Sequence, residues 1–389
     1  MKYKSRLVLP VLLSSATLTV MAGAILTPVQ NLIRDGLGVD AVHAGPIITT
    51  HGLFVALSSL YVGSLIDTKG IRGPYISGLI LFGLAGGSGL VITSYWVLLA
   101  SRALLGIAVA GIFTCINVFI LNAYDRDKRD RVMGWRGSAQ SLGGIIWPFL
   151  GGLLGDISWH LPFAIYLVSI PIGIAAFMSV KEPGSRGEKV QPQEGTSVYG
   201  VIKTSPIIFI IFGLMFFSNF QLYAVVVYIP QLLELFSVSS SLQISSFITL
   251  MATGAGLMSL VYGNIRGLLS YRTISKAGVI MWAIVFFTIS KANSQLIIMA
   301  SVFFLGAGQG LIMPTVMAWI GDVVPVSYRG RFSSYLGIFG YMGQFLSPIL
   351  LAPALIYLGI RGVFTVSASI GIVWFIILAS LGKAGKDTN

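Results

Sequence analysis

The chain has 389 residues, of which 55% are hydrophobic and only 10% are charged, and its mean hydropathy is +0.87. Soluble domains carry about 25% charged residues, so the composition argues against a soluble enzyme or a soluble nucleic-acid regulator. The formal charge is +12, and the single cysteine, Cys115, excludes an internal disulfide framework and gives no zinc cluster. This composition is typical of a polytopic membrane protein.

Twelve apolar runs of about 20 residues, the length that crosses a bilayer, follow one another along the chain. We number them spans 1 to 12, and they cover residues 7–30, 45–66, 74–93, 96–121, 132–155, 161–180, 206–229, 242–264, 275–291, 296–320, 332–356 and 363–381. Lys2, Lys4 and Arg6 precede span 1 as they would precede a signal peptide. Its length and the eleven later spans favour an uncleaved helix.

The placement of Lys and Arg predicts the orientation. With the N-terminus in the cytoplasm, 20 of the 25 basic residues fall on the inner side, and Arg102 and Arg136 fall inside spans. The outer side holds only Arg34, Lys291 and Arg361. By the positive-inside rule we expect a multi-pass protein of the cytoplasmic membrane with both termini in the cytoplasm. The basic charge then reflects topology and contact with anionic lipids, and no nucleic-acid partner is needed to explain it.

The loop after span 2 reads Gly63-Ser-Leu-Ile-Asp67-Thr-Lys-Gly70-Ile71-Arg72. An acid at a helix end can face the positive N-terminus of another helix, here span 11, and so hold the cytoplasmic side shut. In this interpretation Gly63 permits close helix approach and Arg72 holds Asp67 by charge. The alternative is a tight, charged turn between two helices.

Two further patterns lie in spans 4 and 5. Span 4 carries Leu98, Arg102 and Gly106 at intervals of four residues, and an arginine there should face a cavity or a partner unless it snorkels to the outer headgroups. Span 5 carries a glycine and proline cluster that would bend the helix and let another helix slide against it near the outer side. Its members are Gly143, Trp147, Pro148, Gly151, Gly152 and Leu154.

The three patterns resemble the motifs of the major facilitator superfamily in their expected positions. The loop resembles Gly-x-Leu-x-Asp-x-x-Gly-Arg-Lys/Arg, with Ile71 where the family usually has Arg. Span 4 resembles Leu-x-x-x-Arg-x-x-x-Gly, and span 5 is similar to the antiporter motif, Gly-x-x-x-Gly-Pro-x-x-Gly-Gly-x-Leu, with Trp147 in place of Gly. The resemblance implies an all-α membrane fold of two pseudo-symmetric six-helix bundles that rock about a site near mid-membrane. The third motif implies the drug:proton antiporter branch.

The two halves are also related within the sequence by a shift of 200 residues. Residues 1–180 and 205–389 are the predicted bundles, and the polar stretch 181–204, rich in Gly and Pro, is the predicted cytoplasmic linker. The matches include three arginines and a proline, which chance would hardly supply at one shift. They are Gly63/Gly263, Arg72/Arg272, Gly78/Gly278, Leu105/Leu305, Gly106/Gly306, Arg129/Arg329, Arg131/Arg331, Gly143/Gly343 and Pro148/Pro348.

None of the 13 acidic residues lies inside a predicted span, although many proton-coupled exporters of this family carry an acid in helix 1 or 4. If protons drive transport, the candidates are His51 in span 2, Glu234 beyond span 7 and Asp67 at the inner motif. A lone histidine in a helix can equally be a hydrogen-bonded packing residue. Arg34 and Glu234 correspond at the shift of 200, so we expect them either to pair and close the outer side or to remain solvated loop charges.

Polar side chains at mid-span depth are candidates for contact with the solute, although each can also hold helices together. With Arg102 and the rings of span 7 they would suit an amphipathic or aromatic solute, anionic or zwitterionic. The polar candidates are Thr19, Asn117, Gln140, Asn219, Gln221, Tyr223, Gln309 and Gln344, and the span 7 rings are Phe216, Phe217 and Phe220.

We therefore predict a secondary transporter that exports drug-like or amphipathic metabolites in exchange for protons. One alternative is uptake or exchange of a small organic anion, and another is a sensor or lipid-handling protein on the same fold. An enzyme has little support, since three histidines lie outside any metal-ligand spacing and no phosphate-binding Gly-Lys-Ser/Thr loop is present. We expect a monomer with a small-molecule substrate, membrane lipids and protons as partners, without cofactor or metal.

Overall fold

A computed structural model describes residues 7–124, 126–180, 198–325 and 328–380, and the regular structure within these ranges is helical. The first half contains Val8–Ala24 with its continuation Gln30–Gly36, then Ala41–Lys69, Arg72–Gly87, Tyr95–Ala123, Arg126–Gly155, and Leu161–Ile165 with Ser169–Ser179. The second half contains Ile207–Glu234, Ser241–Leu268, Tyr271–Lys291, Gln295–Val323 and Arg329–Ser380. These helices account for spans 1 to 6 and 7 to 12 in order.

Ten of the described helices are long and apolar enough to cross a membrane by length and composition. That count treats the last helix as one piece, although Gly359 interrupts it with a φ of +72°, a backbone conformation that glycine adopts readily. The break separates span 11 from span 12. Span 5 is the other one missing from the ten, because its first turns are charged and its middle carries Gln140 and several glycines.

The helices extend beyond the apolar runs, because polar residues cap them outside the hydrophobic depth. Span 2 begins at Ala41 because the Asp40 carboxylate accepts hydrogen bonds from the backbone N–H groups of Val42 and His43, at 3.0 and 3.1 Å. A further hydrogen bond with the His43 ring lowers the pKa of Asp40. The helix of span 2 ends at Lys69 and is followed by Gly70, whose φ is +81°.

Two compact units divide the chain. Unit 1 comprises Met1–Val190 with Ser240–Ser245, and unit 2 comprises Gln191–Ser239 with Ser246–Asn389. The first turn of span 8 therefore belongs to unit 1. A short helix, Val198–Thr204, occupies the end of the predicted linker. Most of that linker, residues 181–197, lies outside the described residues, so its boundaries stay a prediction.

Each unit is fastened internally by buried side chains that donate to backbone carbonyls of neighbouring helices. In unit 1 the Tyr166 hydroxyl donates to Ala22 O at 3.1 Å. In unit 2 the Trp282 indole donates to Leu305 O at 2.8 Å, and the Tyr228 hydroxyl donates to Pro348 O at 3.0 Å. Without water at this depth such bonds satisfy the donors and hold helix to helix.

The shift of 200 residues recurs in the packing inside each unit. A Cβ at Gly106 would clash with the carbonyl oxygen of His51, and a Cβ at Gly306 would clash with that of Met251. Gly78 lies against Ile112 in the same way as Gly278 lies against Ile312, and Gly143 approaches Thr17 as Gly343 approaches Phe216. Glycines that correspond at the shift of 200 thus contact residues that also correspond at that shift, or that differ from it by one position. The repeat in the sequence is therefore also a repeat in the three-dimensional packing.

Candidate solute site and gate motifs

A group of part-exposed polar side chains joins spans 1, 4 and 5 in unit 1. Arg136 Nη1 donates to the side-chain oxygen of Asn117 at 2.5 Å, and its guanidinium carbon lies 4.6 Å from the centre of the Phe113 ring. One turn later, Gln140 Nε2 donates to the Thr19 hydroxyl at 3.0 Å. We call Thr19, Phe113, Asn117, Arg136 and Gln140 the span 5 cluster. It contains three of the residues predicted from sequence to contact the solute, Thr19, Asn117 and Gln140, and one cation, Arg136.

Arg102, the cation proposed from sequence, lies elsewhere in unit 1 and is fully buried. Its Nη2 donates to the carbonyl oxygens of Ala85 and Gly86 at 3.0 Å each, at the end of span 3. The rings of Phe163 and Tyr166 lie 5.3 and 5.2 Å from its guanidinium carbon. Carbonyl dipoles and π faces both attract a cation, so this environment accommodates the charge without a carboxylate among the described contacts.

His51 is also buried, at 3% exposure. It lies at a close contact between spans 2 and 4, because its carbonyl oxygen occupies the space that a side chain at Gly106 would need. Its role in proton coupling stays a prediction.

The polar candidates of unit 2 differ in their surroundings. Gln221 is fully buried, and its Nε2 donates to Ser367 O at 2.8 Å, which joins span 7 to span 12. Asn219 donates to Met215 O within its own helix, and Gln344 is buried. Tyr223 is part-exposed.

Gln309 and the rings of span 7 complete that set. Gln309 carries a buried side-chain oxygen that has no hydrogen-bond donor among the described residues. Phe217 packs in the core against Trp282 and Trp374, whereas Phe216 is part-exposed and stacks on Phe220.

The inner motif is described in part. Asp67 lies in the last turn of span 2, and its side chain is outside the described residues. Arg72 Nη2 donates to Phe177 O at 2.9 Å, and its guanidinium carbon lies 4.9 Å from the Phe177 ring, so it joins span 3 to span 6. No described atom lies within 4 Å of a Cβ built on Gly63. The predicted lock on span 11 stays a prediction.

The glycines of the antiporter motif are closely packed. A Cβ at Gly151 would clash with Ile25 O on span 1, and a Cβ at Gly152 would lie 2.6 Å from Ser241 O in the first turn of span 8. Gly143 meets Thr17 on span 1. The departure from the motif, Trp147, lies on the same side of the helix, where its indole donates to Thr17 O at 3.0 Å. Pro148 lies within the continuous helix.

In the predicted outer loops, one proposed pair is untested and one contact was missed by the sequence analysis. The ion pair recorded for Arg34 is with Asp35, at 2.7 Å, and the proposed pairing with Glu234 stays a prediction. The Asp156 carboxylate accepts from the Ser240 hydroxyl at 2.8 Å and from Ser241 N at 2.5 Å. It therefore caps the first turn of span 8 from the end of span 5.

The sequence analysis did not predict one charged contact in unit 2, and it did not use the position of Arg136 in unit 1. In unit 2 the Tyr271 hydroxyl donates to Asp322 at 2.5 Å, and the Arg266 guanidinium carbon lies 3.9 Å from the Tyr271 ring. In unit 1 the signal for Arg136 was available, since a cation inside predicted span 5 precedes Gln140 by one helical turn. Among the described residues, no three His, Cys, Asp or Glu side chains are grouped so that they could hold a metal ion.

Comparison with known families gives a match to the model of the Major Facilitator Superfamily over residues 12–251 and 215–387. Among curated proteins, the chain is 24% identical over 362 residues to the "Bacillibactin exporter" of Bacillus subtilis, with 87% of this chain and 88% of that protein covered. It is 25% identical over 375 residues to the "Multidrug resistance protein MdtG" of Erwinia billingiae, with 91% and 88% covered.

Solved structures share the fold at lower identity. The nucleoside transporter NupG superposes with a TM-score of 0.80 at 14% identity, covering 98% of this chain and all of that one. A D-xylose-proton symporter superposes with a TM-score of 0.79 at 12% identity, covering 95% and 96%. Their different solutes indicate that the fold alone does not specify what is carried.

Proposed function

The chain belongs to the Major Facilitator Superfamily, and from that premise we propose that it exports amphipathic organic solutes in exchange for protons. Membership makes the protein a multi-pass membrane transporter of small molecules and excludes an enzyme. The exported class and the coupling to protons are our proposal. It works by alternating access, in which the solute site opens to one side of the membrane at a time.

The observation that carries the proposal is the packing of the span 5 glycines. Gly151 and Gly152, the paired glycines of the antiporter motif, bring the helix against backbone oxygens of span 1 and of the first turn of span 8. Close backbone contact of this kind gives an interface without interlocking side chains, along which helices can slide. Two relatives aligned over about nine tenths of the chain are named as an exporter and as a multidrug resistance protein, which agrees with this direction of transport.

The positive-inside pattern supports a location in the cytoplasmic membrane with both termini in the cytoplasm. We also propose that the monomer is the working unit. Coupling without an acid in the predicted spans would depend on His51, Glu234 or Asp67.

Transport in proteoliposomes tests the proposal. Purified protein is reconstituted, a pH gradient is imposed, and internal pH and labelled amphipathic solutes are followed together. We expect solute uptake into the liposomes that dissipates the pH gradient. Protein molecules inserted with their cytoplasmic side outward carry solute into the liposome, which corresponds to export from a cell. Protein-free liposomes give the leak rate. Solute movement without proton movement would refute the antiport mechanism and favour exchange or facilitated uptake.

A further inference from the structure

We propose that Arg136, held by Asn117 and Phe113, binds a carboxylate carried by the transported solute. The inference rests on the proposed export function and assigns its substrate class, which is an amphipathic organic anion or zwitterion. The Phe113 ring and the neighbouring amide of Gln140 complete the subsite.

The three faces of span 5 provide the first argument. One face is a stripe of large, exposed apolar side chains at helical spacing, as expected next to lipid: Trp135, Leu142, Ile146, Phe149 and Leu153. A second face, with Gly143, Trp147 and Gly151, packs on span 1. The third face carries Gly134, Gly137, Ser138 and Ser141, which are small and exposed.

That third face borders open space. A Cβ built on Gly134 or Gly137 would have no described atom within 4 Å. Serines and bare glycine backbone are poor neighbours for lipid tails, so an exposed face of such residues at this depth is best explained by water or solute. By helical spacing Arg136 and Gln140 lie on the side that packs on span 1, and Gln140 is about 60° from Gly137 on the exposed face.

The position along the helix agrees with a solute site. Gln140 lies in the middle of the 30-residue helix Arg126–Gly155. Arg136 precedes it by one turn and lies four residues, about 6 Å, inside the start of predicted span 5, so the subsite lies toward the predicted cytoplasmic end of the span. Each residue turns the helix by about 100°, so Arg136 also points well away from the lipid-facing stripe that Trp135 begins.

Comparison of the two arginines inside spans identifies the accessible one. Arg102 has no exposed surface, and its Nη2 is committed to the carbonyls of Ala85 and Gly86. Its burial leaves no surface on which a solute could contact it. Arg136 is part-exposed, and Asn117 with Phe113 orients its guanidinium without burying it.

A guanidinium is suited to this ligand. Its planar fork of N–H donors matches the two oxygens of a carboxylate, and charge-assisted bonds of this kind are about twice as strong as neutral ones. The membrane interior strengthens the attraction further because its effective dielectric constant is lower than that of water. The ring of Phe113 offers an apolar surface beside the anion for the rest of an amphipathic molecule.

Equilibrium binding to purified protein in detergent micelles tests the subsite. The probes are 3-phenylpropionate, 3-phenylpropylamine and 3-phenylpropanol, which share a ring and a chain and differ in charge. We expect the carboxylate to bind at least about tenfold more tightly than the amine, which corresponds to the loss of one charge-assisted hydrogen bond. Arg136→Gln should remove this preference and leave the amine and the alcohol unchanged.

Two more variants keep the result interpretable. Arg136→Lys retains the charge but not the fork, so it should retain part of the preference even if Arg136→Gln does not fold. Arg131→Gln makes the same change at an exposed arginine earlier in the helix and should behave as wild type. Absence of any preference for the carboxylate in wild type, or equal losses in Arg136→Gln and Arg131→Gln, would overturn the proposal.

Binding and transport can fail separately. Carboxylate-selective binding that depends on Arg136, without movement of the probe in proteoliposomes, would support the subsite and refute export. Proton-coupled transport of the amine or the alcohol that is insensitive to Arg136→Gln, with no carboxylate preference, would support export and refute the subsite.

Discussion

At the scale of single residues, surroundings decide what a membrane arginine does. Arg102 and Arg136 are both cations inside predicted spans, yet Arg102 is fully buried among carbonyl oxygens and rings, whereas Arg136 is part-exposed beside Asn117 and Phe113. The sequence predicts the depth of each residue but not its neighbours, because contacts between spans depend on how distant helices rotate and pack. For the same reason Gln221 and Gln140 look alike in sequence, although Gln221 is fully buried.

The burial of Arg102 leads to a prediction about stability. Arg102→Met should destabilise the protein by about 1–3 kcal/mol, because the carbonyls of Ala85 and Gly86 lose their donor. Arg102→Lys should also destabilise, since a single ammonium replaces a planar group that meets two carbonyls and two rings. Thermal unfolding in detergent measures both.

The control is Arg131→Met, which removes an exposed arginine and should change little. Unchanged unfolding in both Arg102 variants, together with loss of transport, would contradict a structural role and restore Arg102 as a candidate for contact with the solute.

At the scale of helices, the size of the side chains differs among the three faces of span 5. Large apolar side chains face the lipid, glycines allow contact with span 1, and small residues border open space. Its glycines are not equivalent: Gly151 touches the backbone of span 1, whereas Gly137 borders open space. The motif in the sequence indicated the close packing of Gly143, Gly151 and Gly152. It did not indicate that Trp147 would turn toward span 1 and donate to Thr17 O, because the usual residue there is glycine.

This difference predicts opposite effects of the same substitution. Gly151→Ala places a methyl group against Ile25 O and should cost about 1–3 kcal/mol of unfolding free energy. Gly137→Ala meets no described atom and should be neutral or stabilise the helix by up to about 1 kcal/mol. Thermal unfolding of the two variants side by side is the measurement. Equal destabilisation by both would show that Gly151 is not packed more closely than Gly137.

At the scale of the whole molecule, the fold could be predicted from the sequence far better than the site. The number and order of the spans follow from the length of the apolar runs, and the twofold repeat follows from the shift of 200 residues, which recurs in the contacts of Gly106 and Gly306. Helix ends were less predictable. Caps such as Asp40 extend span 2 beyond its apolar run, where hydropathy carries no information.

The orientation of the fold in the membrane gives the last prediction. The helix of span 9 runs from Tyr271 to Lys291. A serine caps the start of this helix and of the helix of span 10: Ser270 accepts from Thr273 N, and Ser294 accepts from Ile297 N. Basic residues around Ser270 place it inside, and their scarcity around Ser294 places it outside.

With the buried Cys115 replaced by Ala, a membrane-impermeant maleimide added to intact cells should label Ser294→Cys and not Ser270→Cys. Both should react once the membrane is permeabilised, which controls for reactivity because both are part-exposed helix caps. Labelling of Ser270→Cys alone in intact cells would show that the orientation is the reverse of the predicted one. The carboxylate subsite would then lie toward the outer side of the membrane instead of the cytoplasmic side.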